Sequence, residues 1–199
     1  LLMTERDGVD RYRTVFFVRN DSPVRELADL RGHSIALQNR SSTSAYYVPA
    51  EELLGIGLRL EVLLSPMDRP GADSVGYVFG RSELNVSAWV HKGLVDAGAM
   101  SNLDWINPQR VPLSYRRDFR IVRETGDFPR ALEMVRGDLD PKVRERLREV
   151  LLGAAADPDA DEALLRFFKT TRFVPIDEDI AAGLLRLRRG VARVVREVE

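Results

Sequence analysis

The sequence predicts an α/β fold with a mostly parallel sheet followed by a helical tail, and three observations lead to this prediction. Runs of β-branched and aromatic residues alternate with helical segments, as residues 14–18 and 26–30 illustrate. Turn-forming residues separate such segments, as in Asn-Asp-Ser-Pro at 20–23. Beyond Asp140, apolar residues recur at helical spacing. Alternating strands and helices are typical of parallel sheets.

The individual elements are predicted from their apolar runs and from the residues that begin or end helices. Buried strands are predicted at residues 14–18, 34–37, 58–64, 75–79 and 95–100, with further candidates at 119–122 and 131–136. Helices are predicted at 26–30, at 44–54, from Ser82 to Lys92, from Ser101 onward, after Asp140, at 161–168 and after Asp177. Gly32 and Gly93 are placed where helix stops are expected. Pro49 either kinks its helix or resets where that helix begins.

Composition excludes several classes of protein. The chain has 199 residues and a formal net charge of −1, which argues against a protein that coats nucleic acid through a basic surface. It has no Cys and only two His, so we expect no thiolate chemistry, no metal site and no cofactor. No apolar run reaches the length of a membrane span. The residues after Leu1 do not resemble a signal peptide, which suggests a fragment or a processed product.

The polar loop at 39–47 carries the best candidate for a binding site. It follows a predicted strand and precedes a helix, the position at which open α/β sheets bind ligands. Ser42, Thr43 and Ser44 would add three hydroxyl donors to the free N–H groups of the helix start, an arrangement that suits a tetrahedral oxyanion. Tyr46 is a further candidate contact. The alternative is that these residues only cap the helix.

Two further strand-to-helix turns hold candidate residues. The first contains Ser82, Glu83 and Asn85, and helix capping accounts for these residues without any function. The second begins at Ser101 and contains Asn102, where a capped helix is again the alternative. The Asp-rich stretch at 157–161 lacks the glycine and the distal glutamate of an EF-hand loop, so it is not interpreted as a calcium site.

The order of several short motifs resembles the substrate-binding proteins of phosphate, phosphite and phosphonate ABC importers. The motifs are the strand and turn at 12–23, L-A-D-L-R-G at 27–32, S-T-S-A at 42–45 followed by Pro49, G-L-V-D-A-G-A at 93–99, D-L-D-P at 138–141 and T-R-F-V-P at 171–175. Each motif is weak alone, but the set spans most of the chain. The resemblance implies a type-II periplasmic-binding-protein fold, in which two α/β lobes close over a ligand.

The resemblance also implies which residues bind the ligand and how the chain is divided. Ser42, Thr43 and Ser44 would hold oxyanion oxygens. Glu83 departs from the family, whose phosphonate-binding members usually carry a His there, so the ligand would differ or would bring an amine for Glu83. Family members also have a large portion before the strand at Tyr12.

The short N-terminal portion leads to a prediction of unequal lobes. A complete α/β lobe is expected at 23–100, whereas 1–22 and 101–199 would form an incomplete, helix-rich lobe. Such a lobe would expose apolar faces and favour self-association.

Three functions remain open at this point. The first is an extracytoplasmic solute-binding protein, or a fragment of one, that captures a small oxyanion for an ABC permease in the periplasm. The second is the ligand-sensing domain of a membrane receptor such as a histidine kinase, which a long last helix reaching Glu199 would suit. The third is an enzyme on the same fold, for which Glu83 and Asp104 are the only plausible acid–base pair.

Overall fold

A computed structural model describes all 199 residues and confirms the α/β class. The strands are β1 Leu2–Arg6, β2 Arg11–Tyr12, β3 Thr14–Arg19, β4 Ser34–Leu37, β5 Arg59–Val62, β6 Ser74–Phe79, β7 Ala97–Ser101, β8 Phe119–Glu124, β9 Phe128–Pro129, β10 Leu132–Glu133 and β11 Thr170–Val174. The α-helices are α1 Val48–Gly55, α2 Glu83–His91, α3 Asn102–Ile106, α4 Leu113–Arg116, α5 Pro141–Gly153, α6 Asp161–Arg166 and α7 Glu178–Glu197.

The chain divides into two compact units. Unit 1 comprises Leu1–Tyr12 and Asp127–Arg186, and unit 2 comprises Arg13–Gly126 and Leu187–Glu199. The sequence placed its boundaries at residues 23 and 100 instead. The difference arises because β3 and β8 pair in the same sheet as β7, and motif order carries no information on strand pairing.

Unit 2 is built on one six-stranded sheet in the order β5-β6-β4-β7-β3-β8. Strands β5, β6, β4 and β7 run parallel, while β3 runs antiparallel to both of its neighbours. The sheet is therefore mixed, although its central part has the predicted parallel arrangement. Parallel strands direct their carboxyl ends toward one edge, which brings the loops after β4, β6 and β7 together.

Apolar side chains cover both faces of this sheet. Phe16 belongs to one buried cluster and its neighbour Phe17 to another, because successive side chains of a strand point to opposite faces. Phe17 packs against Trp105 and Phe119 at ring distances of 5.0 Å. Gly98 lies beneath the Phe17 ring, and a Cβ added there would come within 2.6 Å of it. The sheet that carries the loops is thus firmly packed.

Unit 1 is built from short strands and helices. β1 pairs antiparallel with β10 and β11, and β2 pairs antiparallel with β9. The prediction of an all-helical tail after Asp140 was wrong, because β11 lies within it and pairs with β1. No strand was predicted at Leu2–Arg6 either, since its alternation is short and its partners lie more than 120 residues away.

Local rules account for most helix boundaries. Ser82 caps α2 as predicted, and Gly93 follows the helix with a positive φ of 66° that favours glycine. The helix predicted at 44–54 is divided: Thr43–Tyr47 forms a π-helical turn, and α1 begins at Val48 with Pro49 in its first turn. None of the helices combines the length and the apolar character needed to cross a bilayer.

Candidate anion-binding site

Three loops meet at the carboxyl edge of the unit 2 sheet. They follow β4, β6 and β7, and backbone hydrogen bonds join the first two. The N–H of Gly80 donates to the Leu37 carbonyl at 2.8 Å, and the N–H of Arg81 donates to the Gln38 carbonyl at 2.8 Å. The predicted site residues on these three loops are therefore brought to one edge by the fold.

The loop after β4 is held by its own polar groups. The Asn39 side chain accepts hydrogen bonds from the N–H and the hydroxyl of Ser41, at 2.9 and 2.7 Å. The Ser42 hydroxyl oxygen accepts the N–H of Ala45 at 3.1 Å, which makes Ser42 a cap of the following turn. These bonds fix the conformation of the loop.

Thr43 and Ser44 differ from Ser42, because their hydroxyls have no hydrogen-bond partner inside the protein. Ser44 is 7% exposed, and its carbonyl accepts the Thr14 hydroxyl at 2.7 Å, so its backbone is fixed to β3. Neither hydroxyl oxygen is sealed off from the surface. These two hydroxyls are therefore donors that the protein does not use internally.

Tyr46 lies in the core and packs against Phe79, the last residue of β6. The side chain is fully buried, its ring lies 4.9 Å from Tyr47 and 5.1 Å from Phe79, and its hydroxyl donates to Glu199 at 3.1 Å. Burial, followed by the negative charges of neighbouring groups, raises the pKa of Tyr46 well above its ordinary value. Tyr46 is thus packed inside the protein, and its contact with a ligand stays a prediction.

In the loop after β6, two of the three predicted residues shape the turn. Ser82 accepts the N–H of Asn85 at 3.2 Å, and the Asn85 amide donates to the Gly80 carbonyl at 2.7 Å. Arg81 has a positive φ of 65°, which these bonds stabilise. The capping alternative therefore describes Ser82 and Asn85 well.

Glu83 is a buried carboxylate at the same turn. It is the first residue of α2, it is 8% exposed, and a carboxylate oxygen lies 3.7 Å from the Arg110 guanidinium. Burial raises the pKa of Glu83, and the negative charge of Asp104 raises it further, while its own backbone N–H and Arg110 oppose the shift. A neutral Glu83 can donate a hydrogen bond that the ionised form cannot.

The loop after β7 joins the site to β3. The Ser101 hydroxyl donates to the Asp104 carboxylate at 2.5 Å and also accepts the Asp104 N–H at 3.0 Å. Asn102 exchanges two bonds with Arg13: its side-chain oxygen accepts the Arg13 N–H at 3.0 Å, and its own N–H donates to the Arg13 carbonyl at 2.9 Å. Asn102 keeps its amide N–H groups for other partners.

Sequence reasoning missed one charged residue of the site and one supporting residue. Arg110 lies in the loop between α3 and α4, with no motif around it to mark it, and only the tertiary structure brings it to Glu83. Thr14 supports Ser44 through its hydroxyl, a role that the apolar strand pattern does not indicate. No cluster of three His, Asp or Glu side chains is arranged to hold a metal ion.

The fold and this site define a class of protein. A mixed α/β sheet of this kind has the fold of the type-II periplasmic binding proteins. Residues 1–180 match the family described as "ABC transporter, phosphonate, periplasmic substrate-binding protein". The chain belongs to this family, so the predicted resemblance is confirmed.

Solved structures share the fold of this chain. The chain is similar to XAC2383 from Xanthomonas citri, with 53% identity over 100% of this chain and 71–72% of that one, at TM-scores of 0.93 in the structure bound to chloride ion and 0.94 in the structure bound to ATP. The fold of PhnD1 from Prochlorococcus marinus in complex with methylphosphonate is also similar, with 18% identity over 96% of this chain and 72% of that one, at a TM-score of 0.60.

Membership has three direct consequences. The family consists of substrate-binding proteins of ABC transporters and not of enzymes, which excludes the acid–base interpretation of Glu83 and Asp104. Its members bind a small ligand and work with an ABC permease. They are periplasmic proteins, which implies an extracytoplasmic location.

Proposed function

We propose that this chain binds a small phosphoryl oxyanion, such as phosphonate, phosphite or phosphate, and delivers it to an ABC permease from the periplasm. The ligand lies against the loop after β4, where the hydroxyls of Thr43 and Ser44 and nearby backbone N–H groups donate to its oxygens. Glu83 and Asn102 contact it from the two neighbouring loops.

This proposal rests on the hydroxyls of Thr43 and Ser44. They have no hydrogen-bond partner, although the other polar side chains of the loop bond to one another. Asn39, Ser41 and Ser42 are used within the loop, whereas Thr43 and Ser44 are held in place by the backbone and have no internal acceptor. Oriented donors at a buried edge favour an anion because they do not have to reorganise when it binds. Net charge is no obstacle, since local donors act at short range.

The relative from Xanthomonas citri supports an anionic ligand. It is bound to chloride ion in one structure and to ATP in another, and both ligands are anions. ATP also carries phosphoryl oxygens, the group that the loop after β4 is suited to hold. The two ligands differ greatly in size, so the ligand panel below includes both small oxyanions and ATP.

The decisive experiment is isothermal titration with a panel of phosphate, phosphite, methylphosphonate, aminoethylphosphonate, sulfate and ATP. We expect the best ligand of the panel to carry a phosphoryl group. At about 100 times its Kd it should also stabilise the folded protein by about 2.7 kcal/mol in thermal unfolding.

The matched variants are Thr43→Val/Ser44→Ala and Ser114→Ala. The double substitution removes the two unpartnered hydroxyls and should weaken binding at least about tenfold, which corresponds to about 1.4 kcal/mol. Ser114 is exposed in α4 and has no hydrogen bond from its hydroxyl, so its substitution should leave Kd unchanged. Equal affinity of the double variant and the parent would place the ligand elsewhere.

A measurement in cells distinguishes the transport role from the sensing role. We expect deletion of the gene to reduce uptake of the labelled ligand that titration identifies, since an importer depends on its binding protein. Normal uptake with a changed transcriptional response to that ligand would contradict the transport role and favour the receptor alternative.

A further inference from the structure

The last part of the chain packs against the elements that carry the candidate site. Residues Leu187–Glu199, which include the second half of α7, belong to unit 2 together with the loop after β4. Val194 is fully buried in the same apolar cluster as Tyr46. The Arg193 guanidinium donates to the Leu54 carbonyl in α1 at 3.0 Å. This segment is therefore fixed to the helix that follows the loop after β4.

One hydrogen bond joins the same segment directly to the loop. The Tyr46 hydroxyl donates to a carboxylate oxygen of Glu199 at 3.1 Å, although the two residues are 153 positions apart in the sequence. The Tyr46 ring also packs against aromatic neighbours, with ring distances of 5.1 Å to Phe79 and 6.0 Å to Tyr77. Glu199 thus contributes to fixing the position of a fully buried side chain.

The position of Tyr46 matters because of the backbone around it. Thr43–Tyr47 is a single π-helical turn, a rare conformation that is often found at functional sites. Tyr46 lies in this turn together with Thr43 and Ser44, whose hydroxyls have no partner inside the protein. A displacement of Tyr46 would therefore also displace the two hydroxyls that the proposed function assigns to the ligand.

We propose that the contact between Tyr46 and Glu199 positions the binding loop and couples ligand binding at Thr43 and Ser44 to the segment at 187–199. Glu199 is a positioning residue that acts through Tyr46 and does not contact the ligand. This inference rests on the proposed function and adds a regulatory connection to that same site. Because coupling between two sites is reciprocal, loosening the segment weakens binding, and a bound ligand holds the segment more firmly.

The affinity test is isothermal titration with phosphate, phosphite or methylphosphonate, whichever binds the parent most tightly. Tyr46→Phe and Glu199→Ala remove the same hydrogen bond, so each should raise Kd about three- to tenfold. The double variant should show no more than the larger of the two effects, because the side chains act as one unit. Glu199→Gln keeps an acceptor oxygen and should stay within about twofold of the parent.

The matched control is Arg196→Ala, on the same segment. Arg196 is exposed and pairs with Glu197 on its own helix at 3.0 Å, so its substitution should leave Kd unchanged. If Tyr46→Phe fails to fold, the comparison of Glu199→Ala with Glu199→Gln still tests the proposal.

Amide hydrogen exchange provides a measurement that a merely structural role would not change. Saturating ligand should slow exchange at residues 187–199 of the parent at least about threefold, and Tyr46→Phe should lose this slowing even when saturated. If Tyr46 only stabilised the core, the substitution would lower Tm and leave the response of the segment to ligand intact.

The outcomes distinguish the inference from the proposed function. An unchanged Kd in Glu199→Ala, additive effects of the two substitutions, or ligand-dependent protection that survives in Tyr46→Phe overturns the inference and leaves the proposed function standing. A parent that binds none of the three phosphoryl ligands overturns the proposed function and the inference with it.

Discussion

The two compact units differ in how they bury their apolar residues. Unit 1 holds a little over a third of the chain but only a few of its buried hydrophobic side chains. These are Leu2, Met3, Phe128, Leu164, Phe173 and Ile180. Unit 2 has two large clusters, one on each face of its sheet.

A helix of unit 1 leaves apolar side chains exposed, whereas a helix of unit 2 buries them. α5 carries the apolar stripe predicted from the sequence, but Val143 is 54% exposed, Val150 is 52% exposed and Leu147 is 38% exposed. In unit 2, Val86 and Val90 of α2 are fully buried against the sheet. A firmly packed sheet can hold donors in fixed positions, and the candidate site accordingly lies on unit 2.

The largest expected effect comes from emptying the core of unit 2. Phe17→Ala should lower the free energy of unfolding by about 3–5 kcal/mol, because a fully buried ring between Trp105 and Phe119 leaves a cavity. Urea denaturation measures the change. A loss below 1 kcal/mol would mean that the two faces of the sheet are not as tightly packed as described.

A smaller loss of folding stability should follow from adding a methyl group to the same packed region. Gly98→Ala places a methyl group 2.6 Å from the Phe17 ring and should cost about 1–3 kcal/mol. Gly153→Ala is the matched change in unit 1, at the end of α5, where nothing lies within 4 Å, and it should be neutral or slightly stabilising. Equal effects at the two positions would contradict the difference in packing.

The helix caps allow a third comparison of the two units, based on the stability lost when a capping side chain is removed. Ser82→Ala in unit 2 and Asp140→Ala in unit 1 each remove a side chain that accepts backbone N–H groups, and each should cost about 0.5–2 kcal/mol. The Ser82 change should also weaken ligand binding, because it loosens the turn that carries Glu83. Calorimetric melting and titration on the same samples distinguish the two consequences.

The pH dependence of stability should reveal the burial of Glu83. Its pKa is raised in the folded protein, so the folded state holds a proton that the unfolded chain releases near pH 4.3 or above. Stability should therefore fall as pH rises from there through the folded pKa. The Tm of Glu83→Gln should exceed that of the parent at neutral pH and converge with it at about pH 4. A constant difference across this range would show that Glu83 is not desolvated.

The smallest effect is expected on the exposed face of unit 1. Val143→Lys should change the free energy of unfolding by less than about 0.5 kcal/mol, since the side chain is more than half exposed. Sedimentation of the same variant tests the predicted self-association, which a charge on this face should reduce. A loss of stability comparable to that of Phe17→Ala would mean that α5 is packed against apolar groups in solution.

The amino-acid sequence by itself determined the class of fold, the order of the unit 2 elements and the three loops that carry the candidate site. These features depend on local patterns: apolar runs, caps such as Ser82 and the small polar residues after β4. The motif order also identified the family, because it samples nearly the whole chain.

The tertiary structure decided what those patterns leave open. Strands β1 and β11 are distant in sequence and weak as local signals, so only their pairing establishes them. Tyr46 and Ser44 are two residues apart on one loop and both are buried, yet the Tyr46 hydroxyl is bonded to Glu199 whereas the Ser44 hydroxyl has no partner inside the protein. Arg110 reaches Glu83 from a separate loop. Burial and long-range contact depend on how the sheet is assembled, and no short stretch of sequence contains that information.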